Sequence, residues 1–197
     1  MEHNFDKDID WFVRQIESRK RLLPTFAHAA GMLFRGINDD FDKFIDDHAY
    51  DKVFDEHGEL KEFGVPQDYA GRYRLLKRSR HHAAIFADLL PKMTLVSLVS
   101  LFDAYLARLL RTMFIVKPEI INASEKHIKF SDLIEFESFD DARDSIIGME
   151  IEGILRESHA DQFKWLESKL NIPLRKLDSW SAFVEITERR NLFVHAD

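Results

Sequence analysis

The chain contains no cysteine. That removes disulfide scaffolds, thiolate metal sites and a cysteine nucleophile from consideration, and it fits a reducing compartment. Glycine and proline are scarce, with seven and five in 197 residues. Little turn chemistry is left, and no run shows sustained alternation of apolar and polar residues, so strands are not expected. No run of 18 or more apolar residues occurs, and the reading is that nothing spans a membrane. The opening residues, MEHNFDKDIDWF, are acidic and do not read as a signal peptide. The expected location is cytoplasmic. Positive charge is in deficit, 28 Lys and Arg against 35 Asp and Glu, for a net charge of −7. This argues against broad polyanion binding, and a nucleic-acid partner would have to meet a local basic patch. No glycine-rich phosphate loop, zinc-ligand cluster or paired-carboxylate metal motif is visible, so neither a metal nor a cofactor is expected.

What remains is helical periodicity. Ile9, Phe12, Val13 and Ile16 form one stripe. Pro24 is placed at the start of a second helix, where its missing N–H costs nothing, and this helix runs through Phe34 to Ile45. The stretch DKVFDEHGELKEFGVPQDYAG holds Gly58, Gly64, Pro66 and Gly71 and reads as a connecting loop. A basic helix follows, RYRLLKRSRHHAAIFADLLP. After it comes the most apolar segment, KMTLVSLVSLFDAYLARLLRTMFIVKP, apolar nearly all round and therefore expected at the centre of a bundle. Three further helical pieces follow, FDDARDSIIGMEIEGILRES, ADQFKWLESKL and the terminal helix from about Leu177. The expected architecture is all-α, one helical bundle over residues 1–197 with a long central apolar helix. Within it, residues 1–65 supply N-terminal helices of unrecognised type.

The terminal helix carries an anomaly. At about 100° per residue, Phe183, Ile186, Phe193 and Val194 fall in one stripe, which predicts a core face, and Arg190 falls inside it. Asn191 and His195 lie one turn apart on the adjoining flank, beside Glu188. A single Arg at a helix edge usually packs its stem and keeps its head in water. A cation inside an apolar stripe needs a buried acid, a bound anion or a polar cleft. On the central helix, Asp103 lies among Val96, Val99, Leu106 and Leu110, and a carboxylate there wants a partner. The expectation is a contact from Asp103 to Arg190 or to Arg189.

The hexapeptide RNLFVH, Arg190 to His195, resembles the Arg-polar-x-x-x-His signature of the HEPN superfamily, helical-bundle domains of bacterial toxin–antitoxin, abortive-infection and CRISPR-associated ribonucleases. Upstream, LVSLVSLFDAYLARLLRTMF is similar to the long apolar helix of the abortive-infection branch. ADQFKWLESKLNIPLRKLDSWSAFVEITERRNLFVH is similar to that branch's approach to its motif. The resemblance covers about residues 90 to 195, within a HEPN-like bundle placed at about 70–197. It implies a metal-independent endoribonuclease in which two protomers join their motifs into one composite site. His195 would then be the acid/base group, Arg190 would bind the scissile phosphate, and Asn191 would orient one of them. The alternative is a non-catalytic HEPN-like module that dimerises or binds RNA or a protein. Implied partners are RNA, a second copy, and an antitoxin protein or larger defence complex, with no membrane.

Two neighbouring features complete this reading. Arg189 stands next to the motif. The stretch RYRLLKRSRHH offers Arg72, Arg74, Lys77, Arg78 and Arg80 as a phosphate-backbone track, although such a run is more often a solvated helix face. His81 and His82 point about 100° apart on a helix and make a poor metal pair.

Overall fold

The computed structural model describes residues 5–123, 129, 134 and 136–195, with no description of the side chains of residues 122, 123 and 195. It is predominantly α-helical, with a long central helix. The elements, in order, are α1 (Phe5–His48), β1 (Tyr50–Phe54), β2 (Leu60–Gly64), α2 (Ala70–Val116), α3 (Phe139–Arg156), α4 (His159–Leu170) and α5 (Trp180–His195). The chain divides into two compact units, Met1–Ile16 with Thr94–Asp197 and Glu17–Met93. These do not coincide with the 1–65 and 70–197 segments of the sequence reading, because α1 and α2 each run through both.

Two expected helix breaks are absent. Pro24 lies inside α1 and does not begin a new helix, and Pro91 lies inside α2, joining the basic and apolar segments into one helix. Each proline forfeits one backbone bond and crowds the carbonyl four residues back. The turns on either side carry the helix past it.

The larger unit is built on the second half of α2. Leu106, Leu110, Met113 and Phe114 pack with Ile147, Ile151 and Ile154 of α3 and Leu166 of α4. By length and composition alone α2 could also cross a membrane, and only 11% of the stretch that meets that test is buried. From Leu106 onward its apolar surface packs against α3 and α4. Helices α3 and α4 start at serine caps, Ser138 and Ser158, whose hydroxyls accept from the N–H groups of Asp141 and Asp161. Each cap satisfies one of the donors that a helix start leaves without a partner. Asn171 ends α4 in the left-handed conformation, φ 56°, a position that Asn tolerates better than most residues.

The first turn of α1 is fastened to α2 by a buried carboxylate. Asp8 accepts from Arg108 Nε at 3.0 Å and from Thr112 Oγ1 at 2.6 Å, and the Arg108 guanidinium lies 4.7 Å from the Trp11 ring. Burial, with the Asp8 charge next in effect, raises the Tyr105 phenol above its ordinary range.

The smaller unit pairs the rest of α1 with the start of α2. Phe41, Phe44 and Ile45 form its centre, with Leu60, Phe63, Val65, Tyr73 and Leu76 against them. The segment read as a loop is in part an antiparallel hairpin with Tyr50 opposite Gly64, Val53 opposite Glu62 and Phe54 opposite Leu60. Two register shifts interrupt it, which removes the period-two pattern that would have marked it in the sequence. The Asp55 carboxylate organises the turn, accepting from the N–H groups of His57 and Glu59 at 2.9 and 2.8 Å. Those bonds hold its pKa below the usual carboxylate value. Gly58 supplies φ 78°, and the Tyr50 ring lies where a Cβ on Gly64 would have to sit.

Two stability measurements test this account. Asp8→Ala leaves the fully buried Thr112 hydroxyl without its acceptor, and chemical denaturation should show a loss of about 1–3 kcal/mol; a change within error would refute the fastening. Glu167 accepts from the Arg175 backbone N–H and side chain, both at 2.7 Å, and these bonds lower its pKa. A lowered carboxylate pKa contributes stability above the unfolded value, lost as pH falls through the folded one. The melting-temperature gap between wild type and Glu167→Gln should therefore be constant above about pH 5 and close below about pH 4. A gap that widens with acid would contradict the sign.

Candidate functional site

Of the functional candidates in the larger unit, Arg190 meets Asp103 of α2, and an unforeseen histidine joins them. One carboxylate oxygen accepts from Arg190 Nη2 of α5 at 2.9 Å. The other meets His159 Nε2, the first residue of α4, also at 2.9 Å. An ionised carboxylate only accepts, so the Nε2 of His159 carries the proton and donates. Three helices thus meet at one acid through two charge-capable bonds. Side-chain exposure is 30% for Asp103, 19% for Arg190 and 8% for His159. Among the described residues the buried Arg190 Nε has no hydrogen-bond partner.

An aromatic wall backs this triad. The Phe102 ring lies 4.9 Å from Phe183 and 6.1 Å from both Phe163 and His159. His159 and Phe183 are 5.7 Å apart, edge to face. Trp180 closes the far side, 5.1 Å from Phe163. The wall fixes the imidazole and lowers the local dielectric, which strengthens the Asp103 bonds.

Of the two partners expected for Asp103, Arg190 is the one found. Arg189 instead bonds Glu185 at 2.6 Å on the exposed face of α5, which removes it from the Asp103 cluster. The predicted core stripe of α5 needs correction. Ile186, Phe193 and Val194 are 43–50% exposed, whereas Thr187 is buried and Phe183 packs inward. The inward face is Phe183, Thr187 and Arg190, rotated from the apolar stripe because α5 rests on the aromatic wall at its N-terminal half. Asn191 is half-buried, one residue beyond Arg190, and Glu188 is exposed. His195 closes α5, and its side chain lies outside the described residues. His159 was not foreseen. The signal available for it was indirect: Ser158 is a helix cap, and the residue after a cap stands at the start of the helix.

The basic stretch lies in the other unit, near the start of α2. All five cations are exposed, and several cover apolar surface of their own unit. The Arg72 guanidinium is 5.8 Å from the Phe44 ring, the Lys77 ammonium 5.9 Å from Tyr73 and the Arg80 guanidinium 4.7 Å from Phe41. Arg80 also pairs with Asp42 at 3.5 Å, and Arg74 Nε donates to the Ala70 carbonyl at 3.3 Å. Arg78 is exposed as well. Part of the stretch's charge is thus spent on packing and local pairing. No group of three or more potential metal ligands occurs among the described residues. A cavity of about 450 Å³ is lined by Glu167, Asn171, Ile172, Pro173, Arg175 and Lys176 and does not include the Asp103 cluster.

No protein-family model matches this sequence, and no curated protein or solved structure matches it.

The Asp103 cluster makes a quantitative expectation. A double-mutant cycle of Asp103→Ala with Arg190→Met, read by urea denaturation, should give a coupling of about 0.5–3 kcal/mol. Additive single-mutant losses would mean that the 2.9 Å contact contributes nothing.

Proposed function

We propose that the chain is a metal-independent endoribonuclease of the HEPN type, acting as a toxin or antiviral defence effector, in which two copies bring their motifs into one site. The observation that carries this reading is Arg190, a cation turned inward on α5 and held by Asp103 with Asn191 adjoining it. An arginine so fixed presents a preorganised fork to a phosphate. The Asp103 bond uses Nη2, and the buried Nε has no hydrogen-bond partner among the described residues.

The chemistry needs little else. RNA brings its own nucleophile, the 2′-hydroxyl. As its proton leaves, the 2′-oxygen bonds to phosphorus, and the bond to the 5′-oxygen breaks as that oxygen is protonated. The products are a 2′,3′-cyclic phosphate and a 5′-hydroxyl. Imidazole titrates near neutrality and serves either proton transfer, the role assigned to His195. Arg190 offsets the charge that develops on the phosphorane. The basic stretch from Arg72 to Arg80 is the candidate backbone contact.

A second reading is favoured by the same contact seen differently. Asp103 bonds both Arg190 and His159 and is backed by aromatic rings, an arrangement that also suits a structural node in a non-catalytic dimerisation or RNA- or protein-binding module.

Cleavage of cellular RNA separates the two readings. Purified wild type should cut RNA in the presence of a chelator. His195→Ala should lose about 10²–10⁴-fold of that activity at unchanged helical content. Equal activity in the two proteins, or wild-type activity abolished by the chelator, would end the first reading; no activity in either, with the oligomer intact, would favour the second.

A further inference from the structure

The smaller unit exposes an apolar face that its own fold does not cover. Residues 22–34 of α1, LLPTFAHAAGMLF, contain no Asp, Glu, Lys or Arg, in a chain that is 32% charged. A helix surrounded by water ordinarily carries charge on its outer face. Leu22, Phe26 and Leu33 instead form an exposed stripe along α1, spaced four and seven residues apart. Ile85, Leu89 and Met93 form another along α2, spaced four apart. These six are 42–63% exposed.

The two stripes open on one side. Within this unit α1 and α2 run antiparallel, as the Phe34–Phe86 and Phe41–Tyr73 ring contacts require. On each helix the exposed stripe lies to the same rotational side of the more covered one, which is Ala30, Phe34, Phe41 on α1 and Tyr73, Leu76, Ala83 on α2. In an antiparallel pair that puts both on one face. The charges of the α2 stretch, Asp88 and Lys92, bond each other at 2.6 Å.

We propose that this face is covered by the same face of a second copy, forming a four-helix layer from two α-hairpins. The six side chains leave on the order of 600 Å² of mostly apolar surface open, close to the roughly 800 Å² per partner of a standard specific interface once the rim is added. A two-fold axis needs only one self-complementary patch, and a two-helix sheet of apolar side chains is half of a four-helix bundle. A lipid bilayer is the competing occupant: α2 is long and apolar enough to span it, but the uncharged stretch of α1 on the same face is about 20 Å long as helix, against a hydrocarbon core of about 30 Å. The inference does not rest on the ribonuclease reading, since it stands whether or not the chain cleaves anything.

Light scattering coupled to gel filtration tests it. Wild type should run at twice the chain mass, and Leu33→Glu and Leu89→Glu should each weaken association at least about 30-fold with helical content unchanged. Ile186→Glu, on the exposed flank of Arg190, should leave the mass unchanged. The absence of cysteine provides a second measurement: Ala29→Cys should oxidise to a disulfide-linked dimer, whereas Glu152→Cys on α3 should not. A monomeric wild type at tens of micromolar, a dimer indifferent to both α-hairpin substitutions, or a dimer broken by Ile186→Glu alone would overturn the proposal. So would a monomer that partitions onto phosphatidylcholine vesicles through Leu33 and Leu89.

Discussion

The larger unit depends on how α2 disposes of its polar side chains. In the second half of this helix, Asp103 and Arg108 are each answered from another element. Asp103 takes donors from α4 and α5. Arg108 and Thr112, one and two turns on, share the carboxylate of Asp8 from α1. Removing a partner from such a node leaves a half-buried charge or an unsatisfied hydroxyl, a cost of the same order as deleting a core side chain. The hydrophobic contacts of Leu110, Phe114 and Ile147 are interchangeable in kind, whereas these polar contacts are directional. They therefore specify which helix meets which, and at what rotation.

That rotation decides what α5 can do. Held at Arg190 and Phe183, it buries Thr187 and leaves Ile186 and Phe193 partly in water. Arg190 stands within the apolar stripe, so a helix that buried the stripe would bury the cation too. The acid of α2 answers it, while Ile186, Phe193 and Val194 keep part of their apolar area exposed. Rules that break local optimality in this way are expected at sites with a task beyond folding.

Much of this was legible in the sequence, and the failures have identifiable causes. Arg190 announced itself by standing in an apolar stripe, and Asp103 by standing among leucines and valines; each needed an opposite charge, and the pairing follows. His159 gave no such sign, because it begins a helix and belongs to no stripe. The hairpin at Tyr50–Gly64 escaped notice because its register shifts erase the alternation that marks a strand. Pro24 and Pro91 suggested helix ends, since local chemistry disfavours continuing through them. Two long helices resulted where four were expected. The exposed stripe on α1 looked in sequence like more core, because composition separates apolar from polar but not covered from open.

The division of the chain also orders its assembly. Unit Glu17–Met93 is continuous in sequence, so all of its partners have been made once Met93 has emerged. The larger unit is split around it. Asp8 is synthesised 100 residues before Arg108 and 104 before Thr112, and domains form as their residues become available during synthesis. The first turns of α1 therefore wait, already attached to a completed neighbour, until α2 has been extended far enough to receive them.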